Sequence, residues 1–91
     1  MSRSKFRPAL LLADAGRGDW IACQITSNPY ADERAIVLAN DAFAEGSLQR
    51  VSYARPGKLF TANESLLAAR VGRLKPSELT QVREAVVALF R

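Results

Sequence analysis

Apolar residues fall in short bursts along this chain, and only the last segment repeats with a helical period. Residues 8–13 are a continuous apolar run opened by Pro8, and proline fits a strand only at its first residue or on an edge, so the run predicts a buried strand. Residues 14–18 predict a turn. Over residues 19–26, Ile21, Cys23 and Ile25 face one way and Trp20, Ala22, Gln24 and Thr26 the other, which is the period of a half-buried strand. Ser27-Asn28-Pro29 should stop it. Ile36, Val37 and Leu38 predict a third strand over 34–39, followed by a polar connection over 40–47 with room for one helical turn. Residues 48–55 alternate again, Pro56-Gly57 signals a turn, and residues 58–62 complete a hairpin-like pair.

Residues 64–74 fit either helix or strand, and we read them as a helical turn over 64–67 and a strand over 69–74. The ending is clearer. Pro76-Ser77 marks a helix start with Ser77 as cap, and Leu79, Val82, Val86 and Leu89 lie on one face of a helix over 78–90. Several short strands and one terminal helix imply a small twisted sheet or partly open barrel with the helix packed at one end. A chain of 91 residues makes a single domain, residues 1–91, with one modest core.

Composition narrows the chemistry. Hydrophobic residues at 48% and charged residues at 24% are those of a globular protein. Cys23 is the single cysteine and there is no histidine, which excludes an internal disulfide and the usual zinc cages and points to a reducing, cytoplasmic setting. No apolar run approaches the roughly 20 residues that span a bilayer, so neither export nor membrane insertion is expected. The net charge of +4 is uneven. Over residues 14–45, Asp14, Asp19, Asp32, Glu33, Asp41 and Glu45 stand against Arg17 and Arg34, whereas over residues 50–75, in the second half, Arg50, Arg55, Lys58, Arg70, Arg73 and Lys75 face only Glu64. That half is read as a basic face for phosphates or, equally, as a solvated surface.

Without histidine there is no Ser-His-Asp or Cys-His set, and no phosphate-cradling or dinucleotide glycine motif is present. Asp32 and Glu33 are adjacent and would point apart in an extended segment. Cys23 lies on the apolar face, the position of a small buried hydrophobe. Arginine, lysine, hydroxyl and amide groups remain. They suit a phosphodiester whose own 2′-hydroxyl is the nucleophile, because the protein then has to orient the backbone and stabilise the pentacoordinate phosphate. Arginine, with a pKa above about 12, serves more readily as an electrostatic group than as an acid or base.

The stretches "FRPALLL" (6–12), "GDWIACQITSNPY" (18–30), "SLQRVSYARPGKLF" (47–60) and "VGRLKPSELTQVREAVVALF" (71–90) resemble the MazF/PemK toxins of bacterial toxin–antitoxin systems. The resemblance implies a mainly β, SH3-like small barrel of the CcdB/MazF type with a C-terminal helix. It implies a homodimer that cuts single-stranded RNA without metal or cofactor, leaving 2′,3′-cyclic phosphate and 5′-hydroxyl ends, and that is inhibited by a cognate antitoxin. Carried over, it makes Arg7 and Thr26 the catalytic pair and Gln24, Ser27, Asn28, Ser52 and Arg55 RNA contacts; for Arg55 and Lys58 the solvated-surface reading stands beside this one. Pro8 restricts Arg7 at the start of its strand. Family members place a further strand and loop before the Arg-Pro-Ala segment, and here that strand is expected to be missing and the barrel incomplete. Two other function classes stay open: a non-catalytic SH3-like module that binds nucleic acid or antitoxin, and a structural β domain.

Overall fold

In the computed structural model, which describes residues 8–48, 50–67 and 70–91, the alternation over residues 19–26 becomes a strand with the predicted bounds. In order the chain forms β1 (Ala9–Gly16), β2 (Asp19–Thr26), β3 (Ile36–Leu38), a 3-10 turn (Asn40–Ala42), β4 (Phe43–Gly46), β5 (Ser52–Asn63), a second 3-10 turn (Glu64–Leu66), β6 (Gly72–Leu74) and α1 (Pro76–Ala88). Arg7 and the segment before it, where the missing family strand was expected, lie outside the described residues, as do Gln49, Ala68 and Ala69.

The hairpin of β1 and β2 is tighter than the sequence suggested. Pairing continues to Gly16 opposite Asp19, with register shifts between Leu11 and Ala13 and between Asp14 and Gly16. Only Arg17 and Gly18 make the turn, with φ of 57° and 80°. Positive φ at both central residues is the two-residue hairpin geometry whose twist matches the flanking strands. The apolar run ends before the ladder does, and so the expected turn over 14–18 was too long.

β5 is the main correction. Pro56-Gly57 does not reverse the chain: one strand runs from Ser52 to Asn63 antiparallel to β2, and the register passes from Gln24 opposite Arg55 to Cys23 opposite Leu59. Pro56, Gly57 and Lys58 therefore bulge out of the ladder, which is where a proline with no amide to donate is tolerated within a sheet. The Pro56 ring is among the largest fully buried groups, so the bulge is packed from beneath. β3 pairs with the other edge of β5, giving the order β1-β2-β5-β3.

β4 falls within the expected polar connection over 40–47, where only Phe43 offers a large apolar side chain. It pairs with β6, and a backbone bond from the Lys75 amide to the Ala42 carbonyl at 2.8 Å ties that ribbon to the helix start. The helix begins earlier than the apolar period implied. Pro76 opens it, Lys75 is the N-cap without a side-chain bond, and Ser77 does not cap. With Pro76 at the first helical position, where its missing amide costs nothing, Ser77 falls inside the first turn instead of ahead of it. Val82 is fully buried, with Leu79 and Val86 packed beside it, and Arg83 Nε donates to the Leu12 carbonyl at 2.9 Å. Leu12, Cys23, Ile25, Leu38, Ala42, Ala54, Leu74 and Val82 form one core under the curled sheet. The result is the expected mainly β half-barrel closed by a C-terminal helix.

The β4–β6 ribbon depends on close backbone approach. Gly46 has a φ of 65°, and a Cβ there would run into the Val71 carbonyl. Gly46→Ala should lower stability by more than about 1 kcal/mol in thermal or denaturant unfolding, whereas Gly57→Ala, where a Cβ meets nothing within 4 Å, should change it by less than about 0.5 kcal/mol.

Candidate nucleic-acid interface

Alternation along β2 sends Ile25 into the core and leaves Gln24 and Thr26 on the opposite face. Their cross-strand partners on β5 are Arg55 and Tyr53, so these four side chains share the open face of the sheet. Ala54, opposite Ile25, points into the core and is fully buried.

Two of these groups, Gln24 and Arg55, are joined to each other and to Asp32. Arg55 Nε donates to Asp32 Oδ2 at 2.8 Å and Arg55 Nη1 donates to Gln24 Oε1 at 3.0 Å. The Arg55 and Asp32 side chains are only 20% and 16% exposed, so the pair is partly shielded from water. Asp32 also builds its own loop, since Oδ1 accepts the Arg34 amide at 3.0 Å and the Asp32 carbonyl accepts the Ala35 amide at 3.2 Å. That turn holds 34 and 35 out of the ladder, which shortens the expected third strand to Ile36–Leu38. Among the described residues Arg55 Nη2 has no hydrogen-bond acceptor.

Thr26 is half-buried at the end of β2. Its hydroxyl donates to the Asn28 carbonyl at 3.1 Å and accepts the Asn28 amide at 3.2 Å. Asn28 Oδ1 in turn accepts the Tyr30 amide at 3.0 Å, which holds Tyr30 at a φ of 56° with its ring largely exposed. Ser27 and Asn28 are exposed beside this turn. Ser52 does not join the group: it is 5% exposed on the core side, and its hydroxyl donates to the Arg50 carbonyl at 3.1 Å. Arg7 lies outside the described residues, but its neighbour Pro8 lines a cleft of about 240 Å³ with Gln24, Lys58, Leu59 and Phe60. A second, wider cleft of about 490 Å³ is walled by Arg55 itself with Tyr30, Asp32, Arg34, Lys58 and Leu89 among others. Both clefts include Lys58, which the bulge carries.

Sequence reasoning missed Asp32 and Phe60 as parts of this face, and left Lys58 between a phosphate contact and solvated surface. The one local signal for Asp32 was its spacing from Arg34, the pattern of a side chain that turns its own backbone; nothing local says that it reaches residue 55. The expected basic face is also reduced, because acids of the first half fold onto the second. Glu45 sits 2.9 Å from Arg73 and 3.6 Å from Arg70 in exposed pairs of little energetic weight, and Asp32 neutralises Arg55. Among the described residues no three His, Cys, Asp or Glu gather as a metal site, and no helix is long and apolar enough to cross a membrane.

Two titrations follow. The hydrogen bond from Arg55, then the Arg34 amide, hold the Asp32 carboxyl below its usual range. A carboxyl lowered in the folded state contributes stability that is fully present above its unfolded pKa and is lost as pH falls through the lowered one. Asp32→Asn should therefore be less stable than the parent at neutral pH, with the gap closing in strong acid; equal melting temperatures at pH 7 would refute the pair's role. Burial pushes the Cys23 thiol up to about 11, against a smaller opposing effect of a backbone hydrogen bond with Arg55. A thiol reagent at neutral pH should label Cys23 only after denaturation, and rapid labelling of the native chain would contradict its buried position.

The comparisons agree with this architecture. The structure resembles a Mycobacterium tuberculosis toxin, MazF-mt6, with a TM-score of 0.72 and 22% identity over 92% of this chain and 85% of that one. It resembles a MazE-MazF structure from Deinococcus radiodurans with a TM-score of 0.72 and 20% identity over 92% and 84%. An endoribonuclease from a mycobacterial species follows at a TM-score of 0.71 and 14% identity over 92% and 79%. No curated protein matches the chain by sequence. A family model described as the PemK-like, MazF-like toxin of type II toxin-antitoxin systems matches residues 2–90. With nearly its whole length matched and the half-barrel in place, this chain belongs to the PemK-like, MazF-like toxin family.

Proposed function

We propose that this chain is the toxin of a toxin–antitoxin pair and a metal-independent endoribonuclease for single-stranded RNA. Members of the family are RNA-cleaving toxins. The observation that carries the reading is the shared sheet face of Gln24, Thr26 and Arg55, with Pro8, the residue after Arg7, lining a cleft together with Gln24.

In the proposed reaction the 2′-oxygen of one nucleotide attacks its own 3′-phosphorus, the bond from phosphorus to the 5′-oxygen breaks, and a 2′,3′-cyclic phosphate and a 5′-hydroxyl result. A proton leaves the 2′-hydroxyl and one is delivered to the departing 5′-oxygen. Arg7 serves in that transfer and in binding the developing negative charge. The Thr26 hydroxyl turns from the Asn28 carbonyl to a phosphoryl oxygen, while the Asn28 amide keeps its oxygen in position. Arg55, already oriented by Asp32, has Nη2 left to donate to a phosphate oxygen, and Ser27 and Asn28 stand beside Thr26 as exposed contacts for the RNA backbone; burial argues against such a contact for Ser52.

Antitoxin binding and homodimerisation belong to the same proposal. Two of the similar structures are described as MazE-MazF and as an endoribonuclease in complex with its cognate antitoxin. Exposed apolar side chains such as Leu66, Val71 and Phe90, at 79%, 59% and 79%, offer this chain area for such contacts. A cytoplasmic site of action follows from an RNA substrate.

The test is incubation of unstructured RNA with the protein in chelator, followed by analysis of the new ends. Cyclic-phosphate and 5′-hydroxyl ends are expected, with the rate falling about 100-fold or more for Arg7→Ala and about 10- to 100-fold for Thr26→Ala. Cleavage that requires magnesium, or RNA bound but left uncut, would overturn the catalytic reading, and the second result would favour the non-catalytic module.

A further inference from the structure

The link between Arg55 and Gln24 fixes more than a contact. A guanidinium has only donors, so the Gln24 amide must present Oε1 to Arg55 Nη1 and keep its amino group, Nε2, for the other side. Asp32 holds Arg55 through Nε, so Arg55 cannot rotate to offer Gln24 anything else. Gln24 also walls the cleft with Pro8, Lys58, Leu59 and Phe60. Phe60 lies opposite Ala22, two residues from Gln24 on the same face of the sheet, and its ring is 44% exposed. The bulge separates Arg55 from Leu59 and Phe60 along β5 and carries Lys58, which lines the cleft with the latter two.

From this geometry we infer that the cleft is a base-reading subsite, in which a nucleobase lies against Phe60 while Gln24 Nε2 donates to a keto oxygen on its Watson–Crick edge. The inference rests on the RNA substrate proposed above and names what part of that RNA is read. At about 240 Å³ the cleft suits one base and no more. An aromatic face stacks on any base and confers affinity without preference. Preference comes from the amide: a donor held in one orientation donates to O4 of uracil or O6 of a keto purine and meets another donor in the amino groups of cytosine and adenine. Lys58, at the mouth of both clefts, is positioned for the attached phosphate. The relay from Asp32 through Arg55 to Gln24 is thus a positioning device for specificity, with Gln24 as the reader.

The test uses binding alone. Hexamers of 2′-O-methyl uridine, cytidine, inosine and adenosine have no free 2′-hydroxyl and cannot be cut by the proposed route, so their affinities report the subsite whether or not the protein is a nuclease. Uridine over cytidine and inosine over adenosine, each by about 3- to 10-fold, are the expected preferences. Gln24→Leu should abolish both preferences. Gln24→Glu, which turns the donor into an acceptor that still pairs with Arg55, should invert them, whatever its added charge does to overall affinity. Phe60→Ala should weaken all four hexamers about tenfold without changing the ratios. Equal binding of keto and amino bases by the parent protein, a preference that survives Gln24→Leu, or no binding of any hexamer would overturn the inference. Hexamer discrimination by a protein that leaves RNA uncut would remove the nuclease reading and leave the subsite standing.

Discussion

The pairing of β2 with β5 across a bulge is the constraint from which the rest of this structure follows. β2 is laddered along both edges, and β5 must match it from Asp19 opposite Asn63 to Thr26 opposite Tyr53 with three extra residues in the middle. Extruding Pro56, Gly57 and Lys58 keeps the side-chain alternation in phase on both sides of the interruption. Cys23, Ile25 and Ala54 can then all meet the core while Gln24, Thr26 and Arg55 all meet solvent. A one-residue slip would exchange those sets, putting a guanidinium into the core and an isoleucine on the open face.

The open face is organised by Asp32. One of its carboxylate oxygens turns the loop between β2 and β3 and the other holds Arg55, so a loop and a strand distant in sequence are clamped by a single side chain. The clamp limits the motion of the guanidinium and, through it, the orientation of the Gln24 amide. Charge is arranged by the same folding. The first half of the chain brings its acids to the arginines of the second, which leaves local rather than uniform positive potential. In the proposed role, such a face would hold a phosphate by geometry more than by bulk charge.

Thr26 shows how a hydroxyl is kept available. Its hydrogen bonds to Asn28 close a short turn at the strand end and hold its oxygen near the exposed polar residues that follow. Because the Asn28 amide alone can keep that oxygen in position, the hydroxyl proton can be redirected to another acceptor without unfolding the turn. Tyr30, in left-handed conformation beyond it, marks the strain that this tight exit from β2 imposes.

Local pattern by itself determined the elements whose reward is burial. The alternation of residues 19–26 could satisfy both core and solvent only as a strand, and the spacing of Leu79, Val82 and Val86 only as a helix face, so both were legible along with the fold class. The "RPALLL" and "ITSN" motifs carried the family. Tertiary structure decided what depends on a distant partner. Pro56-Gly57 has the local chemistry of a turn and became a bulge because β2 continued to pair beyond it. β4 has little apolar content and became a strand because β6 met it glycine to glycine. Asp32, dismissed beside Glu33 as a poor catalytic pair, became the clamp on Arg55, while Ser52, promising by position, was turned into the core by its place in the β5 alternation. In each case the local sequence permitted more than one conformation, and the choice was made by a backbone or side-chain bond to a residue far along the chain.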